Sequence, residues 1–142
     1  MTFKINEPTA QLMGRYQPWH AGHRALFIKA YDRVGQVVIL VRSQEKSSNN
    51  PYSYSEVAER IERDLSKHGY TLEHDFFIQQ VPNITDITTG RDVGYTITSE
   101  KLPDFIEKIS ATEIRKNENN IDNGTSWQWK DDFIPNYKRC VQ

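Results

Sequence analysis

The stretch VVILV, residues 37 to 41, holds five consecutive aliphatic residues with no polar alternation. A strand with one face in water alternates, so this run reads as a strand covered on both faces, in a parallel sheet. Parallel neighbours need crossover connections, and helical patterns stand on both sides of the run to supply them. Upstream, His23, Leu26, Phe27, Ala30, Tyr31 and Val34 mark one face of a helix that closes at Gly35. Downstream, Ser53 and Glu56 form a capping box with Tyr52 and Val57 as its staple. That helix buries Val57, Ala58, Ile61 and Leu65 and stops near Gly69. QLMGRY, residues 11 to 16, and FFIQQV, residues 76 to 81, supply two more strands. ITDITTGRDVGYTI, residues 84 to 97, alternates enough for a fourth strand running into a loop, and EKLPDF, residues 100 to 105, for a short edge strand. The expected class is α/β, a Rossmann-like parallel sheet with flanking helices. In such sheets ligands gather beyond the carboxyl ends of the strands.

At 142 residues the chain has room for one domain, read here as residues 1–118, with a polar C-terminal tail, 119–142, that packs back or is partly ordered. Lys and Arg number 18 against 19 Asp and Glu, for a net charge of −1. That balance argues against a general grip on nucleic acid or an anionic membrane and leaves room for a small charged ligand. The single cysteine, Cys140, can build neither a disulfide framework nor a cysteine metal site. The first 13 residues lack the apolar core of a signal peptide and no later window approaches a membrane span. A cytoplasmic protein is expected.

Two segments carry chemistry. In MGRYQPWHAGHRALF, residues 13 to 27, Gly14 allows a phosphate near the backbone, Pro18 stiffens the turn, and Gly22 clears the helix start. His20 and His23, three apart, lie on one side of the first helical turn and can converge on one phosphate. No third ligand of convincing spacing accompanies them, so no protein-held metal site is expected. In KISATEIRK, residues 108 to 116, Ser110 and Glu113 form a second capping box. It brings Ser110, Thr112 and Arg115 to a helix start, a group suited to a polyphosphate and equally to ordinary capping. Two anion-competent helix starts in one small domain suggest a nucleotide held from two sides.

GRYQPWHAGH and ISATEIR together resemble the two signature motifs of the nucleotidyltransferase superfamily that carries H-x-G-H and I-S-x-T-x-I-R, and the likeness spans residues 11 to 118. The superfamily includes the nicotinamide-mononucleotide adenylyltransferases and the cytidylyltransferases. NPYSYSEVAER is weakly similar to a further stretch of the same family, with extra residues inside it.

The resemblance implies a Rossmann-like fold and an enzyme that transfers the adenylyl group of ATP, with Mg2+, to a phosphorylated acceptor such as nicotinamide mononucleotide, releasing pyrophosphate. It implies that His20 and His23 donate to the triphosphate, His23 nearest the α-phosphate, while Ser110, Thr112 and Arg115 hold the leaving pyrophosphate. Arg15 bridges the phosphates, Gly14 and Gly22 shape the loop, and Asp92 reaches the ribose or base, with a plain turn aspartate as the alternative. Trp19, Arg42 and Lys46 are candidates for acceptor binding, against packing for Trp19 and solvation for the two cations. The Gly-Arg and Gln-Pro form of the first motif favours ATP. The alternatives are a cytidylyltransferase acting on CTP and a phosphoalcohol, and a non-catalytic nucleotide-binding module. The expected partners are these small molecules, and a homo-oligomer stays open.

Overall fold

A computed structural model describes residues 3–91, 94–100, 102, 114 and 115. The element order is β1 (Ala10–Gly14), α1 (Ala21–Val34), β2 (Val37–Arg42), α2 (Tyr54–Lys67) and β3 (Phe76–Val81). The strands form a parallel sheet in the order β1-β2-β3, with Gly14 beside Val41 and Arg42 beside Val81. This is the expected α/β architecture, and the carboxyl ends of the three strands finish side by side.

Val37, Ile39 and Val41 face one side of β2 and pack with Phe27 and Ile28 of α1 and Val57, Ile61 and Leu65 of α2 in a single core. Both helices therefore cover the same face of the sheet. Val38, Leu40 and Arg42, on the other face, are only half-buried. Among the described residues that side is met by Phe3, whose ring stands 4.6 Å from Phe77 in an edge-to-face contact. The expectation of a strand fully covered on both faces is corrected to one buried face and one partly covered face.

The helix limits follow from local chemistry. Gly35 takes φ 107° and sends its N–H to the Tyr31 carbonyl, the left-handed C-terminal cap that only glycine adopts without strain. Ser53 and Glu56 exchange side-chain-to-backbone bonds at the start of α2, as their spacing requires. The buried stripe of α1 departs from expectation. It runs through Arg24, Ala25, Phe27, Ile28 and Ala30, whereas Leu26, Tyr31 and Val34 are half-buried at its edges.

Beyond β3, the described residues between 82 and 100 contain no strand. Ile87, Tyr95 and Ile97 are exposed, so the alternation in that stretch has no partner among the described residues and the expected fourth strand is absent there. Of the expected edge strand, Glu100 and Leu102 are described and neither is in a strand, while its other residues lie outside the described ones. The tail, 119–142, also lies outside them. No described helix is long and apolar enough to cross a membrane.

Candidate functional site

The loop between β1 and α1 leaves the sheet at the carboxyl end of β1 and carries the first motif. Its shape is set by Tyr16, which adopts φ 54° and buries its ring against Gly14. A Cβ on Gly14 would stand 3.0 Å from that ring, so the missing side chain makes room for Tyr16. Gln17 clamps the loop to the segment before α2. Its side-chain amide donates to the Tyr52 carbonyl at 3.0 Å and accepts the Tyr52 N–H at 2.9 Å, imitating a strand pair. Arg15 adds a bond from Nη1 to Asn50 Oδ1 at 2.9 Å.

At the start of α1 the two histidines build their own cap. His20 is the N-cap residue, and its Nδ1 accepts the N–H of Gly22 at 3.0 Å, while the N–H of His20 is accepted by Nδ1 of His23 at 3.1 Å. The rings stack with centroids 3.9 Å apart. An imidazole nitrogen that accepts an N–H carries no proton, so each neutral ring holds its proton on Nε2. Burial pushes the His23 pKa well below the ordinary imidazole value, and the neighbouring His20 lowers it further. His23 is therefore neutral at neutral pH. The Gly22 N–H is satisfied by His20.

Arg115 lies in helical backbone, is buried, and donates from Nη1 to the Gln17 carbonyl. The guanidinium of the second motif is thus fastened to the loop that bears the histidines, although 98 residues separate Arg115 from Gln17. Ser110, Thr112 and Asp92 lie outside the described residues.

Among the acceptor candidates, Trp19 is corrected. It is 0 % exposed, packs edge-to-face on Tyr16, and gives its indole N–H to Asp64 Oδ2 at 2.9 Å. A ring buried in the core cannot stack on a ligand. Lys46 lies on an open cleft beyond β2 and β3, lined also by Ser43, Gln44, Asn50 and Asn83. Arg42 is half-buried beside it in sequence, donates from Nη1 to the Ile84 carbonyl at 3.3 Å, and keeps a buried Nε without a hydrogen-bond partner among the described residues.

Sequence reading missed the polar chain that joins loop and cleft. Asn50, buried, accepts from Arg15 and donates to Gln44 Oε1 at 3.1 Å, and Gln44 reaches Asn83 Oδ1 at 3.2 Å. It also missed Arg24 and Asp64, a buried pair with Nη1 and Oδ1 2.6 Å apart. A signal for Asp64 was present, since an acidic residue between Ile61 and Leu65 falls on the apolar stripe of α2.

A cytidylyltransferase-like family model matches residues 12–67. The chain is 27 % identical over 150 residues to the nicotinamide-nucleotide adenylyltransferase of Methanococcus aeolicus, covering 89 % of this chain and 83 % of that one. It is 30 % identical over 151 residues to the enzyme of the same name from Pyrococcus furiosus, covering 87 % of this chain and 76 % of the relative. Among solved structures it resembles a bifunctional NMN adenylyltransferase/ADP ribose pyrophosphatase of Francisella tularensis, crystallised with AMP and a Mn ion. That likeness has a TM-score of 0.55 at 13 % identity and covers 95 % of this chain and 52 % of the other, so it speaks to the fold.

Proposed function

We propose, from the premise that this chain belongs to the nicotinamide-nucleotide adenylyltransferase family, that it transfers the adenylyl group of ATP to the phosphate of nicotinamide mononucleotide or a close analogue and releases pyrophosphate. The observation that carries the reading is the histidine cap. With both Nδ1 atoms taken up by backbone N–H groups, two stacked imidazoles offer Nε2–H donors from one helix start. Arg115 is fastened to the same loop. That donor set suits a polyphosphate.

In this reaction an oxygen of the acceptor phosphate attacks the α-phosphorus of ATP while the bond from that phosphorus to the α,β-bridging oxygen breaks. The leaving group is pyrophosphate. The chain supplies no nucleophile; it holds the two phosphates in line and stabilises charge on the pentacoordinate centre. His23 donates to the α-phosphate and His20 beside it to the β-phosphate. Neutral donors suit the task, because neither ring must gain or lose a proton during transfer. Arg115, with Ser110 and Thr112, neutralises the departing pyrophosphate, and Arg15 spans the ATP and acceptor phosphates. Gly14 and Gly22 serve through the loop, one by admitting the Tyr16 ring and one by clearing the helix start. Asp92 is assigned to the ribose or base. Arg42 and Lys46 face the acceptor phosphate from beyond β2.

Mg2+ belongs to this scheme as part of the substrate. The donors gathered at the loop are N–H groups, which hold anions. Bound with the triphosphate, the ion would supply charge neutralisation there.

The test is pyrophosphate release from each of four nucleoside triphosphates, with Mg2+, against nicotinamide mononucleotide and a panel of other phosphorylated acceptors. Turnover with ATP and nicotinamide mononucleotide, lost in His23→Ala, supports the reading. Preference for CTP with a phosphoalcohol, or ATP binding without release for every acceptor, contradicts it.

A further inference from the structure

We propose that Asp64 is the positioning residue for the histidine pair, so that α2, which carries none of the donors, sets where the two imidazoles stand. The idea rests on the functional reading above for its catalytic consequence and on geometry alone for its structural one. Trp19 immediately precedes His20, and Arg24 immediately follows His23. Both reach across to one carboxylate. The Trp19 indole N–H meets Oδ2 at 2.9 Å and the Arg24 guanidinium meets Oδ1 at 2.6 Å. The short segment holding both imidazoles is therefore gripped at its two ends by a single side chain from another helix.

Three features make this grip suited to positioning. First, all three partners are buried, Trp19 at 0 %, Arg24 at 2 % and Asp64 at 2 % exposure, so the bonds lie out of competition with water. Second, the gripped residues touch the donors. The Trp19 ring lies 5.5 Å from that of His23 and the Tyr16 ring stands edge-on to it at 4.9 Å, which fixes the plane of His23 and hence the direction of its Nε2–H. Third, Asp64 is itself anchored at its main chain, where its carbonyl lies 2.8 Å from Nδ1 of His68 at the end of α2. A buried ion pair is a weak source of stability relative to apolar residues of similar size. A positional role accounts for its presence better than a stabilising one.

The experiment compares Trp19→Phe, Asp64→Asn and the double variant Arg24→Leu/Asp64→Leu with the wild-type chain. For each, kcat and KM for MgATP are measured together with the melting temperature and the ring 15N shifts of His20 and His23. Trp19→Phe keeps an aromatic side chain in the core but loses the indole N–H that bonds Asp64, together with part of the ring volume, and we expect kcat to fall about 10-fold with KM nearly unchanged. Misplacement by about 1 Å can cost about 100-fold, and this is the expected loss of kcat in the double variant, whose apolar pair removes both buried charges and leaves the loss of the Trp19 N–H acceptor as the main cost to the melting temperature. In both, the 15N spectrum changes from two rings protonated at Nε2 to a mixture of tautomers. A double variant that melts like wild type and also turns over like wild type overturns the proposal. Unchanged ring spectra in all folded variants overturn it equally. If the wild-type chain releases no pyrophosphate, the functional reading fails, while the ring spectra still decide whether Asp64 orders the histidines.

Discussion

The two long helices start with the same reciprocal bonding made from different atoms. At α2, Ser53 Oγ accepts the N–H of Glu56 at 3.2 Å and Glu56 Oε1 accepts the N–H of Ser53 at 2.8 Å. At α1, two Nδ1 atoms play the parts of hydroxyl and carboxylate. A carboxylate that completes a capping box leaves negative charge at the helix start, which complements the helix dipole and repels an anion. An imidazole that completes the same box still has a second nitrogen, and that one donates. The first arrangement begins a helix; the second begins a helix and presents two donors where the dipole already favours negative charge. The two starts lie at the same end of the parallel sheet, and one capping geometry uses up its side-chain groups at α2 and leaves a second ring nitrogen on each histidine at α1.

Substitutions at the two helix starts should separate them. The largest effect is expected from rebuilding α1 in the image of α2, with the double substitution His20→Ser/His23→Glu. The box is retained but a carboxylate replaces a desolvated ring, so the chain should fold with a lowered melting temperature, while pyrophosphate release falls by more than about 1,000-fold as two donors go and a carboxylate enters. A stable, fully active double variant would erase the distinction. Next, His23→Ala should lower kcat by about 100- to 1,000-fold, the usual loss when one charge-stabilising donor is removed. Third, Ser53→Ala should remove about 1 kcal/mol of stability in denaturant titrations and leave kcat unchanged, since the cap of α2 carries no donor for substrate.

The smallest effect concerns pH. His23 has a folded-state pKa below its ordinary value of 6.5, so the neutral ring's contribution is fully present above 6.5 and is lost as pH falls from there toward the folded value. Denaturation midpoints of wild type and His23→Asn should therefore diverge least at pH 5 and most above 6.5. Parallel curves across that range would mean that the ring is not desolvated as described.

Much of the fold was legible because its causes are local. Gly35, the Ser53–Glu56 pair, and the apolar runs of β2 and β3 lie within a few residues of the limits they set. Segment 84 to 97 misled for the same reason. Alternation records a residue's readiness to pair, and pairing needs a neighbour, which Ile87, Tyr95 and Ile97 lack among the described residues. At the site, the spacing of His20 and His23 was readable, but the cap they form was not, since imidazole is seldom an N-cap acceptor and the backbone had to be seen to accept it. That Gly14 makes room for the Tyr16 ring was not readable, because a bare Cα does not say what approaches it. Trp19 and Asp64 are 45 residues apart in sequence, and only the packing of α1 beside α2 brings them together.

The proposal stands on His20 and His23 each accepting at Nδ1 and giving an Nε2–H to a triphosphate. It is tested most directly by the ring 15N spectrum of the wild-type chain at neutral pH during titration with MgATP. Both Nδ1 resonances should hold the position of an unprotonated acceptor throughout, while both Nε2–H resonances shift and saturate with the nucleotide. Nucleotide binding that leaves the two Nε2–H resonances unmoved, or a proton found on either Nδ1, would contradict it.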